Sequence, residues 1–149
     1  MCKERKMNEV KDYLRQYRDA KERIREIEES IENYNTIAES CTAQLTGMPS
    51  GSGTSDKVGD LVSRFSDLII DAMEARTDAF NKLVMIEATI KRVDDTDLRR
   101  ILYDRYINLH TWEQIAVDMS YSYQWVCVLH GRALAVVADL INFQTVDSN

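Results

Sequence analysis

A run of 36 residues, from Val10 to Leu45, repeats apolar side chains at spacings of three and four and contains no glycine or proline. The repeating positions are Val10, Tyr13, Tyr17, Ala20, Ile24, Ile27, Ile31, Tyr34, Ala38, Cys41 and Leu45. This a/d heptad pattern predicts one uninterrupted helix with a single apolar seam. A helix of roughly 40 residues is about 60 Å long, too long to be covered by a small domain. It therefore needs a partner helix along most of its length.

The next two segments predict that partner. Residues 47–55 are rich in glycine and serine; Gly47 can take a left-handed position after the helix, and Pro49 cannot continue it. A second helix is predicted from about Asp56, with apolar residues at Val58, Leu61, Val62, Phe65, Leu68, Ile69, Ala72, Ala75, Ala79, Leu83, Ile86, Ile90 and Val93. This stripe is broader than a two-helix seam needs. Residues 1–94 therefore predict a long antiparallel helical hairpin, a coiled coil that forms a homo-oligomer, with a dimer favoured.

The last third of the chain predicts a three-helix domain over residues 95–143, followed by a polar, frayed tail at 144–149. Asp95 or Thr96 can cap a short helix whose apolar face is Leu98, Ile101, Leu102 and Tyr106. Thr111 and Gln114 have capping-box spacing at the start of the next helix, in which Trp112 is expected in the core. Ser120, Tyr121 and Ser122 break the pattern, and Ser122 can cap a final helix. A helix, a tight turn and a second helix form the helix-turn-helix plan.

Several strings in this region resemble a known family: Arg105-Tyr106, Thr111-Trp112-Glu113-Gln114-Ile115-Ala116, Tyr121-Ser122 and His130-Gly131-Arg132-Ala133-Leu134. They are similar to small phage proteins with a sigma-factor region 4-like helix-turn-helix, related to the RinA and ArpU late transcription regulators. The coiled N-terminal half and Ser55-Asp56-Lys57-Val58 are similar as well. The resemblance implies binding to double-stranded DNA and control of phage transcription, with RNA polymerase as a candidate second partner. A cytoplasmic location in the bacterial host is expected because the sequence predicts neither a secretory signal nor a membrane span.

A recognition helix presents its first turns to the bases. Once the apolar face is subtracted, the predicted DNA-binding residues are Tyr121, Ser122, Tyr123, Gln124, Trp125, Val128 and Arg132, with Arg99 and Arg100 reaching the backbone. Gln124 suits adenine and Arg132 suits phosphate. Cys127 is also predicted to face outward. Two residues have open alternatives: His130 either contributes when protonated or is a neutral surface or capping residue, and Arg105 contacts either DNA or an acidic neighbour.

The charge and the residue types limit the function. The net charge is −6, and residues 98–149 hold four basic and five acidic side chains. We call the predicted three-helix domain at residues 95–143 the head, and a single head is expected to bind DNA weakly because it has few cations for phosphate contacts. Three separated cysteines without C-x-x-C spacing indicate neither zinc nor a disulfide framework. No catalytic constellation, cofactor motif or small-molecule substrate site is recognisable, and no enzyme is predicted. The N-terminus lacks the apolar core of a secretory signal, and no apolar run is expected to approach the ~20 residues of a membrane span.

The favoured hypothesis is a DNA-binding transcriptional regulator whose two weak heads act together through the coiled coil. The alternative is an interaction or assembly protein whose helix-turn-helix docks another protein, since Trp125 and Val128 stand where basic residues are expected. A small DNA-packaging subunit would use the same parts.

Overall fold

The computed structural model describes residues 2–45 and 55–146, and these are all-α: five helices and one π-helical turn, with no strand among the described residues. The helices are α1 (Cys2–Leu45), α2 (Ser55–Lys91), α3 (Thr96–Leu102), α4 (Trp112–Met119) and α5 (Tyr123–Val146), and the π-helical turn is Tyr103–Ile107. The predicted helix from Val10 to Leu45 and the predicted start of the second helix near Asp56 are confirmed. The predicted Gly/Ser bend falls on residues 46–54, outside the described part of the chain.

The chain divides into two compact units, which do not coincide with the predicted boundary between residues 94 and 95. We call them the core unit (the residues up to Ala20 and those from Asn81 onward) and the acidic unit (Lys21–Phe80). Each of the two long helices contributes a segment to both units. The division differs from the prediction because the start of α1 and the end of α2 share a core with α3, α4 and α5.

The core unit is built around one apolar cluster. Its innermost side chains, at most 1% exposed, are Leu14 from α1, Ile86, Ile90 and Val93 from α2 and its end, Ile101 and Leu102 from α3, Ile115 from α4, and Val126, Ala133, Leu134 and Val137 from α5. Leu14 lies outside the heptad positions identified in the sequence and yet is fully buried. Burial of such side chains is the main favourable contribution to folding.

Two tyrosines of α1 contact α2 in this unit. The Tyr13 and Thr89 hydroxyl oxygens lie 3.1 Å apart, and the Tyr17 hydroxyl donates to Glu87 at 2.8 Å. Burial, and then the bond to Glu87, raises the pKa of Tyr17 to about 12. The later residue of α1, Tyr17, contacts the earlier residue of α2, Glu87. The two segments therefore run antiparallel within this unit.

A bend separates α3 from α4. Asp95 caps α3 by accepting from the backbone N–H groups of Asp97 and Leu98, as predicted for either Asp95 or Thr96. The helical path then widens into the π-helical turn, and Leu109, two residues after the end of that turn, has a left-handed φ of 59°. Such a turn carries no local signal in the heptad or capping patterns. It brings Tyr106 and Ile107 into the core.

The acidic unit has little core of its own. Among its described residues only Ile27 and Ala79 are buried. Within it, Arg76 pairs with Glu28 at 3.8 Å, and the rings of Tyr34 and Phe65 lie 6.4 Å apart. Exposed large apolar side chains remain: Ile37, Leu61, Val62, Leu68, Ile70, Met73 and Phe80.

The helix α5 contains the stretch Tyr123–Asn142, 20 residues that are long and apolar enough, by length and composition, to cross a membrane. The expectation that no apolar run approaches this length was wrong, because the stretch carries only Arg132 and Asp139 as charged residues. A core helix meets the same criterion, and one face of this stretch packs into the core unit: Val126, Leu129, Ala133, Leu134 and Val137. The helix also includes 144–146, which were predicted to be tail; residues 147–149 lie outside the described part.

Candidate nucleic-acid interface

Backbone and side-chain caps define the turn between α4 and α5. Thr111 and Gln114 form the predicted capping box, with each side chain accepting from the other residue's N–H. At the other end of α4, Ser120 is left-handed (φ 56°, ψ 37°), and the Tyr121 N–H donates to the Ala116 carbonyl at 2.9 Å. This is the hydrogen-bonding pattern of a Schellman turn. Ser122 then caps α5, as predicted, by accepting from the Trp125 N–H at 3.2 Å.

The first turns of α5 present an exposed face. Tyr123, Gln124, Trp125, Cys127, Val128 and Arg132 are all exposed, as the sequence predicts. The opposite side of the same turns, with Val126, Leu129 and Ala133, is buried. The Arg132 guanidinium lies over the Trp125 ring, 5.3 Å from its centroid, so the two side chains form one exposed cation–π pair. No acidic residue occurs in α5 before Asp139.

Tyr121 binds within the protein. Its hydroxyl donates to Asp97 at 2.7 Å, and this hydrogen bond to the carboxylate raises the pKa of Tyr121. The contact ties the turn before α5 to the first turn of α3. The Tyr121 hydroxyl proton is therefore engaged, and the predicted donation to phosphate would require it to leave Asp97.

The arginines predicted to reach the DNA backbone also have internal partners. Arg99 donates to the Val93 carbonyl at 2.7 Å, at the end of α2. Arg100 donates to the Asp118 carbonyl at 3.2 Å and lies 3.6 Å from the Asp104 carboxylate. Both bridge chain segments of the core unit, because the carbonyls at helix ends lack helical partners and accept such donors. They were predicted to contact DNA because the sequence does not show which backbone carbonyls lie near them in the folded protein.

His130 is buried against aromatic side chains. Its Nε2 lies 3.0 Å from the Tyr106 hydroxyl, and its ring meets the Trp112 ring edge-on at 4.7 Å. Burial, and then the charges of Lys11 and Arg105, lower the pKa of His130 to about 4. The imidazole is therefore neutral near pH 7, which agrees with the neutral alternative, although the residue is at neither the surface nor a helix cap. A protonated contact with DNA, the other alternative, is therefore not favoured near pH 7.

Trp112 and Arg105 form the next layer. Trp112, predicted in the core, is half-buried, and the Arg105 guanidinium lies 4.5 Å from its ring centroid. Arg105 also donates to the His110 carbonyl at 2.9 Å. These contacts differ from the predicted pair with an acidic neighbour, and the DNA contact of Arg105 stays a prediction.

Arg105 and Trp112 line a cleft that was not predicted from the sequence. The cleft has a volume of about 430 Å³, and its lining includes Lys11, Arg15 and Arg18 of α1, together with Arg105, Trp112 and Cys127. No described carboxylate lines it. The signal in the sequence is the spacing of the three α1 cations at i, i+4 and i+7, which places them on one side of a helix. Their proximity to Arg105 depends on how α1 packs.

Neither the described side chains nor similarity to known proteins identifies a cofactor for this chain. In residues 2–45 and 55–146, no group of three histidine, cysteine or carboxylate side chains is placed to hold a metal ion. Comparison with protein-family models, with curated proteins and with solved structures finds no match to this chain.

Proposed function

We propose that this protein is a DNA-binding transcriptional regulator of the phage type, in which α4 and α5 act as a helix-turn-helix and α5 enters the major groove. The observation that supports this most is the exposed, acid-free face at the start of α5, on a helix whose entry is defined by the Schellman turn and the Ser122 cap. The first turns of a recognition helix are the part that contacts base edges. Cytoplasmic location in a bacterial host follows from this proposal.

Four of the exposed side chains have roles on this face. Gln124 donates and accepts at the edge of an adenine. Trp125 and Val128 supply apolar surface for a thymine methyl group, and Arg132 reaches a phosphate. Arg99, Arg100 and the Tyr121 hydroxyl hold the core unit together. The interface therefore has fewer cationic contacts than the sequence suggested.

A weak interface requires more than one copy, and α2 offers a surface for a second chain. Val62, Met73 and Phe80 are exposed in the acidic unit, and Ile69, seven residues after Val62, is half-buried. Their spacings of seven, four and seven residues are those of a coiled-coil seam. Pairing of this seam with that of a second copy joins two heads and raises their combined affinity through effective concentration.

DNA binding is tested by fluorescence anisotropy with phage promoter fragments at several salt concentrations. Gln124→Ala is expected to lower the preference for the best fragment by about 5- to 150-fold, the equivalent of one lost bidentate contact of ~1–3 kcal/mol. Val117→Ala is the matched control, because Val117 is exposed on α4 and lies outside the proposed face. Absence of binding by a folded, oligomeric protein at low salt rejects the proposal.

Self-association is tested separately. Met73→Glu/Phe80→Glu places charges in the exposed seam and is expected to shift the protein toward monomer in light scattering, with its helical circular dichroism retained. Val117→Glu should leave the subunit number unchanged. An assembly that survives the double substitution contradicts the proposed seam, and a ring of many subunits favours a DNA-packaging role.

A protein-docking role is the second candidate, and one observation favours it. Trp125 and Val128 are 41% and 46% exposed on the face proposed for DNA, and exposed tryptophan is common at the centre of protein interfaces. In this case Trp125→Ala abolishes co-purification of a partner protein, whereas Gln124→Ala has no effect. The two substitutions therefore separate the candidates.

A further inference from the structure

The cationic cleft of the core unit joins residues that are far apart in sequence. Lys11, Arg15 and Arg18 come from α1, Arg105 from the π-helical turn, and Cys127 from α5. Four positive side chains line a space of about 430 Å³ with no described carboxylate in the lining. A group of cations that line one cleft, with no described carboxylate in the lining, is an electrostatic site for an anion.

The two arginines of α1 are available to such an anion. Arg15 pairs with Asp12 at 3.1 Å and Arg18 with Asp19 at 3.5 Å, and all four side chains are more than half exposed. Exposed pairs of this kind are weak and exchange readily. A phosphate that accepts from both guanidinium groups makes stronger, charge-assisted bonds.

Arg105 is held in place before any ligand arrives. Its bond to the His110 carbonyl and its position over the Trp112 ring fix the guanidinium plane. The fork of an arginine has five N–H donors, so donors remain for an oxyanion. The positive potential also reaches His130, where Lys11 and Arg105 reinforce the effect of burial in lowering the imidazole pKa.

The position of Cys127 connects the cleft to the proposed DNA-binding face. Cys127 lines the cleft and is three residues after Gln124 and four after Tyr123, so the three residues are neighbours on the surface of α5. A strand whose bases contact Gln124 would therefore run its backbone beside the cleft. A duplex has one phosphate charge for about every 1.7 Å of its axis, which suits a cluster of cations.

We infer that this cleft is a phosphate-binding site for the DNA backbone that flanks the bases read by α5, with Lys11, Arg15 and Arg18 as the contacts. The inference rests on the proposed DNA-binding function and adds the electrostatic contacts that the near-neutral C-terminal segment lacks. It makes the start of α1 part of the interface.

The test compares two double variants of the full chain. Arg15→Gln/Arg18→Gln removes two charges from the cleft, whereas Arg5→Gln/Lys6→Gln removes two charges from the same helix outside its lining. Binding to a mixed-sequence duplex is measured by anisotropy between about 0.05 and 0.2 M salt. Circular dichroism confirms that both variants are folded.

The cleft variant should reduce the slope of log K against log salt by about 2 and lower affinity at 0.15 M salt by about 30-fold, since each phosphate contact contributes about 5-fold there relative to 1 M salt. The control variant should keep the wild-type slope. Equal reduction in both variants, or in neither, overturns the cleft assignment while DNA binding by the wild type stands. No binding by the wild type overturns both proposals.

Cysteine alkylation distinguishes the duplex from a small anion as the source of the phosphate. Cys127 should be protected from N-ethylmaleimide by the duplex in the wild type, with Cys41, which lies in the acidic unit, as the unprotected reference. Protection by inorganic pyrophosphate but not by the duplex would make the cleft a small-anion site and overturn the inference.

Discussion

The core unit and the acidic unit use the same two long helices in different ways. The core unit has thirteen basic and thirteen acidic residues, whereas the acidic unit has six basic and twelve acidic, so the whole net charge of −6 lies in the latter. The core unit contains many fully buried side chains; the described part of the acidic unit has only Ile27 and Ala79 below the surface. The net charge of the whole chain is thus a poor guide to DNA binding, because the excess of negative charge lies in the acidic unit and the proposed interface lies in the core unit.

The comparison also shows how differently two aliphatic residues of one helix can be buried. In α1, Leu14 is 0% exposed whereas Ile37 is 46% exposed. Both are aliphatic residues in one continuous helix. The difference arises because Leu14 packs into a core shared with other helices, while Ile37 meets few neighbours within the acidic unit.

The largest expected effect tests this difference. Leu14→Ala should lower the free energy of unfolding by about 2–5 kcal/mol, because the lost side chain leaves a cavity in a packed core. Ile37→Ala should change it by less than about 0.5 kcal/mol, as surface substitutions usually do. Urea denaturation followed by circular dichroism measures both. Similar costs at the two positions would contradict the contrast between the units.

The second effect is a pH dependence specific to the core unit. Since the pKa of His130 is lowered from 6.5 to about 4, the unfolded chain takes up a proton that the folded protein resists. The stability is fully present above pH 6.5 and is lost as the pH falls toward 4, by about 3 kcal/mol at 1.36 kcal/mol per pKa unit.

The control for this effect is His130→Gln, which has no group that titrates in that window. The difference in unfolding free energy between wild type and variant should shrink as the pH falls, and denaturation across the pH range measures it. Parallel pH profiles of the two proteins would show that His130 is not buried in its neutral form.

The smallest expected effect comes from making the same change, serine to glycine, at one position in each unit. Ser120→Gly should stabilise the protein by about 0.5–1 kcal/mol, because glycine adopts the left-handed backbone without the steric cost that serine has. Ser66→Gly, in the exposed interior of α2, should destabilise it by about 0.5 kcal/mol, since glycine is the poorer helix former. Thermal denaturation gives the sign of each change, and equal signs would be inconsistent with the turn at Ser120.

Much of the local structure could be predicted from short stretches of sequence. The capping box at Thr111, the cap at Ser122 and the turn between α4 and α5 were each predicted and are confirmed. These features depend on hydrogen bonds between residues at most a few positions apart. The exposure of Gln124 and Arg132 followed in the same way from helical periodicity.

The candidate site was only half predictable. The apolar and polar faces of α5 could be read from periodicity, but the partners of Arg99 and Arg100 are carbonyls at Val93 and Asp118, which no charge pattern identifies. The burial of His130 depends on Tyr106 and Trp112, which approach it from other elements. The DNA-binding role of the exposed face, and the oligomer that would support it, stay predictions.

The amino-acid sequence alone determined that these segments are helical, where Asp95, Thr111 and Ser122 cap them and which side of each helix is apolar, because caps and periodicity act within a turn or two of the chain. Tertiary structure decided which apolar side meets which. It placed the first turns of α1 in the core of the C-terminal helices and thereby brought Lys11, Arg15 and Arg18 to Arg105. A heptad pattern specifies which face of a helix is apolar but not which helix packs against that face, since many apolar surfaces can pack on the same pattern.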